Sequence, residues 1–253
     1  MLDQVTPLIL TWNEEANIER CLKKLLWAKR VIVVDSFSTD RTLDLMKNFT
    51  NVEVVQRKFD GFASQDNWGI EHIHTPWILS IDADYVLSDE LIAEMKTLNL
   101  NVEYDGYFAA FKYCIDGSPL RSTLLPPREV LFKKEKGRYI QDGHAHKLVN
   151  AGKSSYLKGV IYHDDRKPFK RWWLAQQKYS SQEADKLMQV SFACLNTQDK
   201  LRKMIFFAPI VVFLYCLFGR GLILDGMNGL IYSTQRFLAE WLLAVSLLKR
   251  GFK

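Results

Sequence analysis

Cysteine is scarce in this 253-residue chain, and the four present (Cys21, Cys114, Cys194 and Cys216) are widely spaced with no Cys-x-x-Cys pair. That pattern argues against a disulfide framework and for free thiols in a reducing compartment. Glycine-rich phosphate loops are also missing. No Gly-x-Gly-x-x-Gly follows the first strand candidate, which disfavours a nicotinamide dehydrogenase. No Gly-Lys-Ser/Thr step supplies the phosphate cradle of an NTPase. The first residues lack a basic stretch followed by an apolar one, so no signal peptide is expected. No internal repeat or low-complexity tract stands out. The charge excess is small: 34 Lys and Arg against 29 Asp and Glu give +5. That is too weak to argue for nucleic acid, and it suits an anionic partner such as a nucleotide or an anionic membrane surface.

Hydrophobic residues make up 48 % of the chain, enough for one large domain or one domain with an appendage. Two hydrophobic periods alternate over the first hundred residues. Val5 to Thr11, Val31 to Val34, Val52 to Val55 and Trp77 to Asp82 read as strands. Between them, Ile18, Cys21, Leu22, Leu25 and Leu26 recur at helical spacing, as do Leu43, Leu45 and Met46. Asn67 to Ile73 also reads as helical, and Thr75-Pro76 ends it. Strand and helix in turn predict an α/β fold with a parallel sheet. After residue 100 the rhythm changes. Tyr107 to Cys114 and Glu129 to Lys133 read as strands, and 168–190 as a polar, aromatic-rich helix.

The stretch TPWILSIDADYVLS, residues 75–88, carries the most chemical information. A buried strand ends there in Asp82 and Asp84, with only Ala83 between them. Open α/β sheets place their ligands at such strand ends. Paired hard oxygens suit Mg²⁺ or Mn²⁺ carrying a diphosphate. The plainer reading is two acids capping the next helix. Three further stretches lie where strands end: LTWNEE (10–15), VVDSFSTDRT (33–42) and SQDNWGI (64–70). In a doubly wound sheet these ends converge on one crevice. His163, beside Asp164 and Asp165, has two readings, metal ligand or structural hydrogen bond.

This order of motifs resembles the family 2 glycosyltransferases of the GT-A fold, over nearly the whole chain. The closest resemblance is to bacterial members that extend lipopolysaccharide core or build related surface glycans. It implies a Rossmann-like mixed sheet with flanking helices, divided as a GT-A domain over 1–190 and a helical segment over 191–253. Within the first, 1–100 would take the nucleotide-sugar and 101–190 the acceptor. Thr11, Trp12 and Glu14 of TWNEE would lie at the nucleotide-sugar, with Thr11 and Trp12 beside the base. Asp35 would hold the uracil or ribose, and Asp40 would cap a helix. Asn67 matches a family asparagine, and Asp82-Ala83-Asp84 matches the DXD signature, with Asp82 and Ala83 at the donor and Asp84 on the metal. GRYIQDGHAHKL occupies the place of the acceptor motif, where many relatives carry His-Glu. Here that step reads His146-Lys147, so the glutamate is missing and Asp142 becomes the expected general base, with Glu129, Asp116 and Asp164 as alternatives. The resemblance implies an inverting enzyme that uses a UDP-sugar, UDP-glucose above all, with Mn²⁺ or Mg²⁺. Its acceptor would be lipid-linked or a lipopolysaccharide core. A non-catalytic protein retaining the fold is the rival class.

The C-terminal segment shifts composition. MIFFAPIVVFLYCLF from Met204 is nearly all apolar, interrupted by Pro209 and flanked by Lys200, Arg202, Lys203 and Arg220. It is shorter than the ~20 residues of a comfortable span. Met227, Leu230, Ile231, Leu238, Trp241, Leu242 and Val245 then share a helical face, with Arg236 and Glu240 paired on another. An interfacial or re-entrant hairpin on the cytoplasmic face of a bacterial inner membrane is expected. The competing reading is a buried hairpin or the seam of a soluble homo-oligomer.

Overall fold

The computed structural model describes residues 2–100, 104–142 and 145–251, without the side chains of 142 and 145. Two compact units result: Met1–Gly117 with Leu125–Arg166, and Ser118–Leu124 with Lys167–Lys253. The second unit takes in the long helix after Pro168, which packs with the C-terminal helices.

The first unit alternates as the sequence predicts. β1 (Val5–Thr11), α1 (Ile18–Lys23), β2 (Val31–Asp35), α2 (Thr42–Met46), β3 (Val52–Gln56), α3 (Phe62–Glu71) and β4 (Trp77–Asp82) come first. Then follow β5 (Tyr85–Leu87), α4 (Asp89–Thr97), β6 (Gly106–Ile115), the two-residue β7 (Ser118–Pro119) of the second unit, and β8 (Arg128–Lys133). The unit closes with β9 (Gly137–Asp142), β10 (Ala145–Asn150) and β11 (Ser154–His163).

The sheet of this unit runs β3-β2-β1-β4-β8-β6-β11-β5. The first four strands are parallel, and β8 enters antiparallel between β4 and β6. The sheet is therefore mixed, not wholly parallel. β9 and β10 pair with each other as a separate hairpin.

Strand residues alternate faces, and both faces are buried. Val31, Val33, Ile9 and Leu79 join Ile18, Cys21, Leu22 and Leu91 in one core cluster. Ile32, Val34, Leu8 and Ile78 join Ala63, Ile70 and Phe132 in the other. This explains why β2 reads as an unbroken apolar run. Helix α3 lies hard against the sheet at Gly69, where a Cβ would come within 2.6 Å of Leu8 Cδ1.

The second unit is helical: α5 (Phe169–Gln189), α6 (Thr197–Arg202), α7 (Phe207–Leu214) and α8 (Gly226–Lys249). Ala184 and Leu187 of α5 pack with Leu243 and Leu247 of α8. Pro209 does not break the apolar run as the sequence suggested. It sits in the first turn of α7, where a missing N–H is harmless. The break comes later, between Tyr215 and Asp225, at a π-turn and a 3₁₀ turn. Gly221 (φ +70°) and Gly226 (φ +59°) take left-handed φ there, at little steric cost. The axes on either side bend by 71°. Among the described residues no single helix is long and apolar enough to cross a membrane.

The expected Arg236–Glu240 pair is replaced by another. Arg202 from α6 reaches Glu240 at 3.3 Å, Glu183 of α5 at 3.4 Å and Asp199 at 3.1 Å.

Candidate active site

Sheet register sets the site. Thr11 lies opposite Asp35, Leu10 opposite Asp82 and Asp35 opposite Gln56, so four strand ends meet on one rim. Asp35 is fully buried and accepts from Thr11 Oγ1 (3.1 Å), the Ser38 amide (2.9 Å), the Ser38 hydroxyl and Gln56 Nε2 (3.0 Å). This ring of donors satisfies a buried carboxylate. Thr11 and Asp35 are thus brought together, bonded to each other and to the loop after β2.

That loop and the one after β1 interlock. Asn13 Oδ1 accepts from the Thr39 amide at 2.7 Å, and the Asn13 amide donates to Ser38 Oγ at 2.8 Å. The Glu14 amide donates to Thr42 Oγ1, and the Glu15 amide to Asp40 Oδ2. Asp40 Oδ1 also accepts from the Thr42 amide at 3.0 Å, one residue ahead of Arg41, the N-cap of α2. Asn13 (φ 57°) and Phe37 (φ 58°) sit in left-handed conformations within these loops, a strain that clusters at functional sites. Trp12 stands 58 % exposed at the rim, which favours a stacking surface over a core residue.

The second half of the motif diverges as alternate residues should. Ala83 is buried in the core, while Asp82 and Asp84 flank it. Asp84 Oδ2 lies 3.0 Å from His163 Nε2 at the end of β11. The His163 ring is held edge-on by Tyr85 and Tyr113, at 5.3 and 4.9 Å between centroids. Burial presses the His163 imidazolium down, but the Asp84 charge and hydrogen bond carry it above its ordinary value. Among the described residues no cluster of three His, Cys, Asp or Glu side chains forms. The donor set nevertheless fits a divalent ion: one carboxylate and one imidazole converge, and Mg²⁺ and Mn²⁺ sites commonly take one or two protein ligands plus substrate phosphates.

A neighbouring network anchors this end of β11. Asp164 is buried, salt-bridged to Arg20 of α1 and to Arg166 (2.9 Å), and accepts from the Gly117 amide at 3.0 Å. Asn17 donates to Asp165 and to Glu14, both at 2.9 Å. Asp164 therefore serves as an anchor. Glu129, another alternative base, accepts from Asn150 Nδ2 (2.7 Å) and the Ser154 hydroxyl. Asp116 occupies a left-handed turn after β6.

Asn67 has a structural task. Its Nδ2 donates to the Tyr139 carbonyl and its Oδ1 accepts from the Tyr139 amide, both at 2.9 Å. The carboxamide so clamps β9 onto α3. Asn67→Ala should destabilise the protein by about 1–3 kcal/mol, because both polar groups of a buried peptide lose their partner. Denaturant titration measures this, and an unchanged midpoint would refute the clamp. The Asp142 side chain and residues 143–144 lie outside the described residues.

Sequence reasoning passed over Arg128. Its Nη1 lies 4.0 Å from Asp82 Oδ2 and 3.3 Å from the Tyr85 hydroxyl. It starts β8, antiparallel to β4, three residues before the Leu131–Leu79 pair. Only knowledge of that pairing reveals it. Asp66 was also passed over within SQDNWGI; it is buried beneath the β9–β10 hairpin beside His146.

The mixed sheet with flanking helices defines an α/β class of fold, and comparison with known proteins narrows it. The model of "Glycosyl transferase family 2" matches residues 8–174. The chain belongs to that family. The lipopolysaccharide core biosynthesis glycosyltransferase LpsC of Rhizobium meliloti is 25 % identical over 97 % of this chain and 92 % of its own length. An uncharacterized glycosyltransferase of Rickettsia felis is 28 % identical over 98 % of this chain and 92 % of its own. Among solved structures, the mannosyltransferase PcManGT of Pyrobaculum calidifontis, in complex with GDP-Man and Mn²⁺, shares the fold. Its TM-score is 0.51 at 16 % identity, covering 98 % of this chain and 79 % of that one.

Proposed function

We propose that this glycosyltransferase moves a sugar, with inversion, from a UDP-sugar to a lipid-linked or lipopolysaccharide-core acceptor at a membrane surface. The carrying observation is the convergence of Asp84 and His163 at the end of β4. A divalent ion there would supply positive charge to the diphosphate leaving group. Asp84 and His163 would hold it, and the Arg128 guanidinium stands beside Asp82 as a second positive group for the diphosphate. Exposed Trp12 offers the base a face, and the ring of donors around Asp35 fixes the floor of the nucleotide end. The uridine identity follows from the motif resemblance, with guanosine as the competing outcome. A group on the acceptor side takes the proton of the attacking hydroxyl, and direct attack inverts the anomeric carbon. LpsC, similar over the whole chain, supports a lipopolysaccharide acceptor.

The membrane part rests on the second unit. Phe206 (72 % exposed), Phe207, Ile210, Leu214 and Phe218 are uncovered, as are Leu224 and Met227. An exposed apolar patch of this kind marks a membrane or protein contact. Lys200, Lys203, Arg220, Lys249 and Arg250 in the same unit suit an anionic leaflet, worth ~1 kcal/mol for each one near the surface. The attachment is monotopic, on the cytoplasmic leaflet. One experiment covers both parts: nucleotide release from UDP- and GDP-sugars with bacterial lipid extract, and flotation with anionic liposomes. UDP release dependent on the extract, with the protein in the floating fraction, is expected. Protein that ignores vesicles and sediments as a dimer would reassign the apolar face to a subunit interface.

A further inference from the structure

Beneath the β9–β10 hairpin a buried carboxylate faces an imidazole. Asp66 is 2 % exposed, and its Oδ2 has no hydrogen-bond partner among the described residues. His146 Nε2 lies 3.3 Å from that oxygen, within ion-pair range but off the hydrogen-bonding line. An orphaned buried acceptor is costly and calls for an explanation.

The placement is enforced. Asn67, next to Asp66 on α3, clamps the Tyr139 peptide. Tyr139 pairs with Leu148 in the hairpin, and His146 is two residues from Leu148 on β10. The two side chains therefore share the face turned to α3. Phe62 of α3 and Tyr139 of β9 flank the imidazole, with centroids at 5.5 and 5.2 Å. Asp82 of β4 and Arg128 of β8 are close enough to act on its charge, which sets the pair at the donor end of the sheet.

We propose that His146 is the general base of glycosyl transfer, with Asp66 as its positioning residue. This rests on the glycosyltransferase reading above and replaces Asp142 in that role. Asp66 favours the tautomer with a proton on Nε2, leaving the Nδ1 lone pair for the acceptor. The acceptor hydroxyl gives its proton to Nδ1 as its oxygen bonds the anomeric carbon. The bond from that carbon to the diphosphate oxygen breaks, and its electron pair leaves with the nucleoside diphosphate. The imidazolium formed faces the Asp66 carboxylate. Burial holds Asp66 well above the usual carboxylate range, with the Asp82 charge pushing the same way, so the base is competent only above the pH at which the pair gives up its first proton. Burial also holds His146 below its ordinary value, which keeps the imidazole neutral before the proton arrives. Facing each other, the two titrate as one unit.

The test is the pH dependence of kcat, with donor binding measured by calorimetry. The wild type should lose kcat on the acid side as the pair protonates. His146→Gln should lower kcat by ~10²–10⁴-fold, leave donor binding unchanged and abolish the acid limb of the residual rate. Asp66→Asn should move that limb to lower pH, because the carboxylate that stabilises the imidazolium is gone. Asp66→Glu should restore part of the rate. A purely structural pair would change the melting temperature and leave the limb where it was. An active wild type whose limb survives His146→Gln, or disappears in Asp142→Asn instead, overturns the proposal. A wild type inactive with every nucleotide-sugar removes the transferase reading itself.

Discussion

Asp84→Asn is expected to reduce sugar transfer by roughly 10²–10³-fold, equivalent to several kcal/mol of transition-state stabilisation. β4 runs buried to Asp82, Ala83 turns into the core, and Asp84 is left facing His163 at 3.0 Å. Replacing the carboxylate by an amide keeps size and hydrogen bonding while removing one charge from the ion-binding pair. Chelation of the wild type should produce the same loss, and added Mn²⁺ or Mg²⁺ should reverse it for wild type only. Fold is checked by circular dichroism, and metal uptake by Mn²⁺ electron paramagnetic resonance with UDP present. Unimpaired transfer in excess EDTA would remove the ion from the mechanism, leaving Asp84–His163 as a structural hydrogen bond.

How much of this was legible in sequence differs along the chain. β1 to β4 announced themselves because both sheet faces are buried, so apolar residues run without interruption. Their carboxylates were legible for the same reason, since polarity reappears where each strand ends. β9 and β10 stayed hidden. Arg138, Ile140, Lys147 and Val149 are exposed and share a face, so apolar and basic residues mix without the alternation of a half-buried strand. The role of Asn67 was illegible as well, because its partner is a main-chain peptide 72 residues away. A carboxamide in a motif looks alike whether it binds a ligand or a peptide. Arg128 and the Asp66–His146 pair depend on antiparallel pairing and hairpin docking, neither of which a one-dimensional pattern encodes.

Arg202→Met should destabilise the helical unit by about 3–5 kcal/mol, the usual cost of removing one member of a buried ionic network. Arg202 leaves α6 with only 19 % of its side chain exposed and meets three carboxylates. Glu240 (5 % exposed) comes from α8, Glu183 (10 %) from α5 and Asp199 (13 %) from its own helix. A single guanidinium thus ties three helices of the unit by charge. Burial lowers its proton affinity, but Glu240, Glu183 and Asp199 more than compensate. Without it, Glu240, Glu183 and Asp199 lose the guanidinium they share and must take up protons or separate. Arg236 does not substitute, since Glu240 turns to Arg202 instead and the Arg236 Nε is left buried without a hydrogen-bond partner among the described residues. Adding Glu240→Gln to Arg202→Met should recover part of the loss, because the most buried orphaned charge is then gone. Denaturant unfolding followed by circular dichroism at 222 nm, read with the far-ultraviolet helix signal, measures both variants. A midpoint shift for Arg202→Met within the ~0.5 kcal/mol of an ordinary surface substitution would show that the network contributes nothing to the unit's stability.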